Sequence, residues 1–549
     1  MTMRILFALF ALLGGAHAAA TTYYVGPTGS DYSSGLWADT PFRTIQKAMN
    51  VAVAGDTVFV REGVYREQVD VYRGGGVAGK PVTVKNYNGE QVFIKGSDIV
   101  TGWLHHEGAI WKKTGWKANS QQVFVDFNDA NPSAGPKPLQ QNGMPSRFYG
   151  QWEYNNPVGS GLVDMTPGSF WYDAATQTLY VWLADGSNPN DHLIEASVRR
   201  RLFFMGKPRI VLDGLKFRHS NISAFIQQGA AVELSSYSVM QNCDVQYADF
   251  AGVSTGYLQS NSQILRSNIS NNGATGINMP GTSNFRIAGN TINANNNRNF
   301  NPLWHAGGVK GTTRTWGNVE FNLIAGNGGP GIWFDHANGG QPITVRFNFV
   351  HSNGPKEAGV FFEVSTNVLM HNNIVANNTR RGIYIAASSG VRVLNNTVVG
   401  TGGRAGVDIG GMPREGATLM NNQVLNNVIA HGTTTFDLLI TPPNGTTIAA
   451  NTSDYNLIWR ADGIRLWSGT QHGDLGAWRT KTGFDANSLS VDPLFLGATT
   501  PPAAANYKLR PGSPAIDRAL SLIGVYNRDY LGTLRPMFAG FDIGAYEFK

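Results

Sequence analysis

Residues 331–335 read GIWFD and residues 359–363 read GVFFE. Each segment opens on glycine, runs through bulky apolar side chains and ends in a carboxylate, Asp335 or Glu363. Packing does not need those carboxylates, and burying a charge is costly. Five more Gly-led segments surround them: GVSTG (252–256), GINMP (276–280), GVKGT (308–312), GIYIA (382–386) and GVDIG (406–410). Aligned on the glycine, position 2 is always Val or Ile and position 4 is mostly apolar. Alternation along a strand puts those two positions on one face, so positions 3 and 5 face the other way. In a parallel stack, equivalent residues of successive strands lie about 4.8 Å apart, which makes Asp335 and Glu363 direct neighbours. Like charges side by side repel, and the coupling raises one pKa. A carboxylate pair at about 5–5.5 Å is the spacing of retaining glycosidases. One carboxylate attacks the anomeric carbon; the other, held protonated, donates to the leaving oxygen and then activates water. Asp335 is shorter and adjoins His336, so it is assigned as nucleophile and Glu363 as acid/base.

Position 3 supplies Lys310, Trp333, Phe361 and Tyr384, with the aromatic faces open to stacking on sugar rings. His305 lies two residues before the Gly-Gly-Val-Lys strand; it either hydrogen-bonds sugar hydroxyls or packs its own loop. His336 either orients Asp335 or points to water. Arg314 and Arg381 are candidates for meeting a uronate. Three other readings share these residues. The pair could be solvated and inert. The carboxylates could hold Ca²⁺ through oxygen ligands, with Lys310 abstracting the proton beside a uronate carboxylate; that would be a polysaccharide lyase. A non-catalytic adhesin would bind sugar without turnover. The hydrolase itself needs no cofactor. No His/Cys/Asp cluster has zinc spacing, and no Gly-rich loop follows a strand and opens a helix as a phosphate site would.

These residues must be positioned by a repeat. An apolar strand, an Asn and a short turn precede each Gly-led strand. The Asn recurs at 242, 268, 290, 322, 348, 373, 396 and 427, at intervals of 22 to 32 residues. Such periods, with two or three short strands each, predict the coils of a right-handed parallel β-helix, an all-β solenoid. Stacked Asn side chains at one turn would bond to each other and to freed backbone groups. The variable spacing marks loops that leave the cylinder, and loops carry specificity. The longest are 294–306 and 354–358, both feeding the strands of interest, so the groove is expected along coils 252–410.

Glycine is abundant (66) and residues 261–300 hold 12 Asn, a composition that suits turns between short strands. Residues 1–18, one Arg followed by an apolar run and an Ala16-His17-Ala18 site, read as a cleaved secretory signal. The chain is then expected outside the cytoplasm, secreted or periplasmic, with no membrane span. The whole chain carries 43 basic and 37 acidic residues; without that segment the net charge is +5, and no basic run indicates nucleic acid. Cys243 is the only cysteine and reads as a small buried hydrophobe. A monomer acting on a poly- or oligosaccharide is expected.

Residues 19–100 read as a cap and the first coils. Ile45, Ala48, Met49 and Ala52 share one helical face, and a cap shields an open coil end. Residues 101–200, rich in Trp and Tyr, read as a β-rich insertion with a hairpin pairing Phe170–Tyr172 with Leu179–Trp182. Coils span 201–450, resuming near Arg209–Phe217, and 451–549 form a closing module in which the acids of SPAID (513–517) and DIGAYE (542–547) are structural.

The stretches YYVGPTGSD, PFRTIQKA, GDTVFVREGVYRE and IKGSDIVTGW resemble the start of secreted β-helix carbohydrate-active proteins, among them the family 120 glycoside hydrolases. In that family a GxWxD strand, then a FxEV strand and a downstream NN, carry the nucleophile and the acid/base. GIWFD and FFEVSTNVLMHNN are similar, and the resemblance places those roles on Asp335 and Glu363. It implies β-xylosidase activity, but the Gly-Gly-Val-Lys strand with Trp304 and His305 departs from the xylosidase pattern. Family 9 polysaccharide lyases share the architecture and use a Lys base with Ca²⁺; their cluster of calcium aspartates is not present around Lys310.

Overall fold

The computed structural model describes residues 19–132, 134–143, 159–222, 229–411, 414, 416–441 and 450–549. The expected signal segment, 1–18, lies outside the described residues. Three long sheets of 13, 12 and 13 strands run the length of the chain. Every coil contributes one strand to each sheet, in register with the coil before, and neighbours pair in parallel. The first sheet runs from Thr22–Val25 to Thr452–Asp454. The second runs from Gly63–Tyr65 to Leu457–Trp459. The third begins at Val69–Val71, holds all the Gly-led strands, and ends on the antiparallel pair Leu466–Trp467 and Gln471–His472. This is the expected all-β parallel solenoid. No helix of the described residues is long and apolar enough to cross a membrane.

The alternation holds along the Gly-led strands. Val253, Ile277, Val309, Ile332, Val360, Ile383 and Val407 at position 2 all lie in the central core, as do Phe334 and Phe362 at position 4. Phe285, Phe334 and Phe362 stack at 6.2 Å intervals inside the cylinder. The leading glycine has a steric cause. A Cβ on Gly331 would sit 2.7 Å from the Gly359 carbonyl and 2.9 Å from Asn353 Nδ2, so only glycine lets the coil turn this tightly.

The asparagine ladder is buried and continuous from Asn290 through Asn322, Asn348, Asn373, Asn396 and Asn427 to Asn456. Each rung takes the amide N–H of the preceding rung on its Oδ1 and donates through Nδ2 to the next rung and to backbone carbonyls. Two expected rungs are displaced. Ser267 and Cys243, not Asn268 and Asn242, occupy the ladder: Ser267 N–H donates to Asn290 Oδ1 and Cys243 N–H to Ser267 Oγ. Asn242 stands outside in a left-handed backbone conformation, and Asn268 is a strand residue bonded to Asp244. Cys243 is buried, as expected, because it is a rung. A second ladder, Asn272–Asn295–Asn327–Asn353–Asn378, lines the turn into the Gly-led sheet.

The helix Ile45–Val51, capped by Thr44, buries Ile45, Ala48 and Met49 against the first coils, with Ala52 buried just beyond. The hairpin pairs Phe170 with Val181 and Tyr172 with Leu179. The insertion is anchored by a buried ion cluster: Lys95 Nζ lies 2.6 Å from Glu195 and 2.5 Å from Asp129. Coil strands continue past residue 450, and the helix Leu475–Thr482 closes the cylinder by placing Trp478 in the central core. Residues beyond about 490 do not cap that end. Phe495, Tyr507, Ile543 and Tyr546 pack on the outer face of the second sheet, against Phe349, Ile374 and Val399. In that module the buried Arg535 pairs with Glu547 at 3.2 Å, consistent with structural acids there.

Candidate active site

Asp335 pairs directly with Glu363 in the parallel register, flanked by Thr312 on one side and Ala386 on the other. Phe334 and Phe362 point inward with no exposed surface, so both carboxylates stand on the outer face, partly buried. Asp335 Oδ2 lies 3.4 Å from Lys310 Nζ, and its Oδ1 lies 2.7 Å from His336 Nδ1. Glu363 Oε2 accepts a hydrogen bond of 3.1 Å from Trp333 Nε1, and Oε1 pairs with Arg414.

The electrostatics follow from these contacts. Burial, then the neighbouring Asp335 charge, raises the Glu363 pKa above the usual carboxylate value, against the opposing pull of Arg414, Lys310 and the Trp333 hydrogen bond. Lys310 is 4% exposed, and burial pushes its ammonium down to about 8 despite the two carboxylates that favour its charge. It donates to the Trp304 carbonyl at 2.6 Å.

A group with a raised acid pKa costs stability once it ionises in the folded state. Glu363→Gln should therefore raise the thermal midpoint at neutral pH. That gain should vanish as pH falls through the folded-state pKa toward the ordinary carboxylate range, where the parent glutamate is itself protonated in both states. Calorimetry across pH checks this; a midpoint that falls at neutral pH would show that the Arg414 and Trp333 contacts outweigh the desolvation.

The position-3 residues do not present open ring faces. They stack on one another along the helix axis: Trp333 on Phe361 at 5.2 Å, and Phe361 on Tyr384 at 4.8 Å. Lys310 Nζ sits 3.2 Å from the Trp333 ring centroid at one end, and the Arg381 guanidinium 4.0 Å from the Tyr384 centroid at the other. Trp333 is 3% exposed and Phe361 4%. The inter-strand spacing causes this, because flat side chains one coil apart satisfy each other's faces and leave only edges to a ligand. Burial also raises the Tyr384 hydroxyl to about 12.

Arg381 is committed elsewhere. Its guanidinium pairs with Asp408 at 2.7 Å and Glu357 at 3.0 Å, so its charge is already met. Arg314 is exposed in the turn after the Lys310 strand, where its N–H donates to the His336 carbonyl at 2.9 Å. His305 is buried with its ring stacked on Phe250, and burial together with Lys310 holds the imidazole neutral, so it packs its loop. His336 is more than half exposed beside Asp335.

A cleft of about 430 Å³ opens beside the pair, with Glu363 in its lining and Asp335 adjoining it in the next strand. Leu303 from the 294–306 loop and Glu357 from the 354–358 loop line it, as the loop lengths lead one to expect, together with Glu363, Tyr384 and Ala387. Its extent is narrower than the whole 252–410 run. Arg414, also lining it, was not foreseen; it stands 51 residues beyond Glu363 in a stretch outside the repeat, where no spacing signals it. A calcium ion takes six to eight oxygens. Here Lys310 and Arg414 occupy the sides of the two carboxylates, and among the described residues no three His, Cys, Asp or Glu gather as metal ligands. The donor set does not fit that ion.

Residues 200–313 and 298–469 match the right-handed β-helix region family. The uncharacterized protein YwoF of Bacillus subtilis (strain 168) is 46% identical over 76 residues, 14% of this chain and 16% of that protein. Pectate lyase PEL9 of Emericella nidulans is 37% identical over 81 residues, 15% of this chain and 20% of that protein. The matches thus span about a fifth or less of those relatives. The solved structure of XylC with xylose superposes with a TM-score of 0.68 at 17% identity, covering 96% of this chain and 98% of that one. The three in-register sheets, the matched repeat region and this shared architecture identify the chain as a right-handed parallel β-helix protein.

Proposed function

We propose that the protein is a secreted or periplasmic carbohydrate-degrading enzyme, a retaining glycoside hydrolase with Asp335 as nucleophile and Glu363 as acid/base. The observation that carries this reading is the direct pairing of the two carboxylates on the outer face of adjacent coils, with Glu363 lining a cleft. Strand spacing sets their backbones about 5 Å apart, which lets the carboxyl groups reach the separation of about 5–5.5 Å that retaining enzymes use. Their environments differ in the required sense: Glu363 is pushed toward its protonated form, whereas Asp335 has the Lys310 ammonium beside it. In the first step an Asp335 oxygen bonds to the anomeric carbon as the Glu363 proton passes to the departing oxygen. In the second, Glu363 takes a proton from water, which displaces Asp335 and restores the anomeric configuration. Trp333 holds one Glu363 oxygen and Lys310 steadies the Asp335 charge. XylC was solved with xylose, which makes xylo-oligosaccharides a first substrate to try.

A second reading rests on Lys310. A buried lysine pushed down to about 8 is a serviceable base near neutral pH, and one relative is a pectate lyase. It would abstract a proton beside a uronate carboxylate. Incubation with neutral and uronate polysaccharides, with product analysis, separates the two. New reducing ends of retained configuration, without unsaturated sugar, are expected. A 4,5-unsaturated product would replace the hydrolase by the lyase, and binding without any product would leave only an adhesin.

A further inference from the structure

A second cleft, of about 550 Å³, lies where the β-rich insertion meets the coil turns, and the 294–306 loop that feeds the first cleft also forms its wall. Its lining is dominated by carboxamides: Gln121, Gln140 and Gln141 from the insertion side, and Asn297 and Asn299 from the loop. Arg298 donates to the Asp249 carbonyl at 3.0 Å and to Gln141 Oε1, neutral partners that fix its position and leave its charge in place. Among the described residues no acid lines the cleft, and Lys137 is the other charged residue at it. Gln121 is 1% exposed; its Nε2 bonds to Asn119, and its Oε1 has no hydrogen-bond partner among the described residues. The Tyr247 ring adds an apolar wall, held edge-on by Phe124 and Phe127.

A carboxamide offers one acceptor and two donors without charge, which matches vicinal hydroxyls and does not discriminate for ions. The volume falls in the range of small-molecule clefts, in which a few polar groups and an aromatic wall fix orientation. The geometry points to a second binding site here, for an oligosaccharide, built jointly by the insertion and the coils. This site would hold a chain of hydroxyl-bearing rings away from the Asp335–Glu363 pair and give the insertion a role in substrate capture. It does not depend on which reaction that pair performs.

The test is calorimetric titration of the full-length Glu363→Gln protein with xylohexaose, cellohexaose and mannohexaose. At least one neutral hexasaccharide should show a binding event that weakens at least tenfold when Gln140→Ala and Asn299→Gly are added. The same two substitutions in the parent chain should leave turnover of a short substrate unchanged. Absence of any binding event, or an event indifferent to the two substitutions, would overturn the site. Hydrolysis without this event removes the second site alone, while this event without hydrolysis removes the catalytic reading alone.

Discussion

Asp335→Asn and Glu363→Gln should each reduce hydrolysis of an unactivated oligosaccharide by at least about 10³-fold, equivalent to about 4 kcal/mol of barrier, while the β-helix remains folded. The two losses should differ in kind. Asn at 335 removes the group that bonds to the anomeric carbon, so no leaving group restores the first step. Gln at 363 removes only the proton, which a good leaving group such as a dinitrophenolate does not need. The Glu363→Gln protein should therefore retain rapid release of an activated aryl group, followed by slow turnover because water is no longer activated. Circular dichroism and burst kinetics check this. Near-parental activity in either variant would take that residue out of the mechanism, and identical profiles for both would refute the division of roles. Both side chains stand on the outer face of the cylinder, so neither change opens a hole in the core.

The largest stability loss is expected inside the ladder. Asn348 is wholly buried; its Nδ2 donates to the Val319 carbonyl at 2.8 Å, the Arg346 carbonyl at 2.9 Å and Asn373 Oδ1 at 2.9 Å. Its Oδ1 accepts from both the backbone N–H and the Nδ2 of Asn322. Asn348→Ala strands several of these partners at a turn that water does not reach. Each buried group left unsatisfied costs about 1–3 kcal/mol, so a loss of about 3–5 kcal/mol is expected. That is a large fraction of a typical net stability. Asn50→Ala on the exposed side of the first helix is the control, with a change within about 0.5 kcal/mol. Guanidinium unfolding, read as midpoint and unfolding rate, measures both; a ladder variant no weaker than the control would mean that the stack only fills space. Glycine contacts tie this ladder's neighbour to the site. Asn353, in the parallel second ladder, packs where a Gly331 side chain would be, so the turn asparagines help set where the Asp335 strand begins.

Much of the site is legible in one dimension because the solenoid repeats. When every coil adds one strand to each sheet, aligning the glycines amounts to aligning neighbours in space, and the Asp335–Glu363 pairing follows from counting. The inward packing of Ile332, Phe334, Val360 and Phe362 follows from alternation alone. Counting fails where a residue is one place from its apparent role. Asn268 and Asn242 look like rungs by type, but Ser267 and Cys243 hold the position, since a hydroxyl or a small thiol can serve where the backbone register demands it.

The sequence by itself determined the all-β solenoid, the coil register, the inward and outward faces and the neighbouring carboxylates. These depend on local alternation and on a repeat that stacking turns directly into contact. Only the tertiary structure decided what surrounds the pair. It stacked Trp333, Phe361 and Tyr384 face to face, and it bound Arg381 to Asp408 and Glu357. It buried Lys310 beneath the 294–306 loop and brought Arg414 to Glu363. It also laid the C-terminal residues along the second sheet rather than over the end. Those contacts join segments outside the repeat, whose placement is set by surface packing and charge pairing over long sequence separations. No period in the chain encodes them.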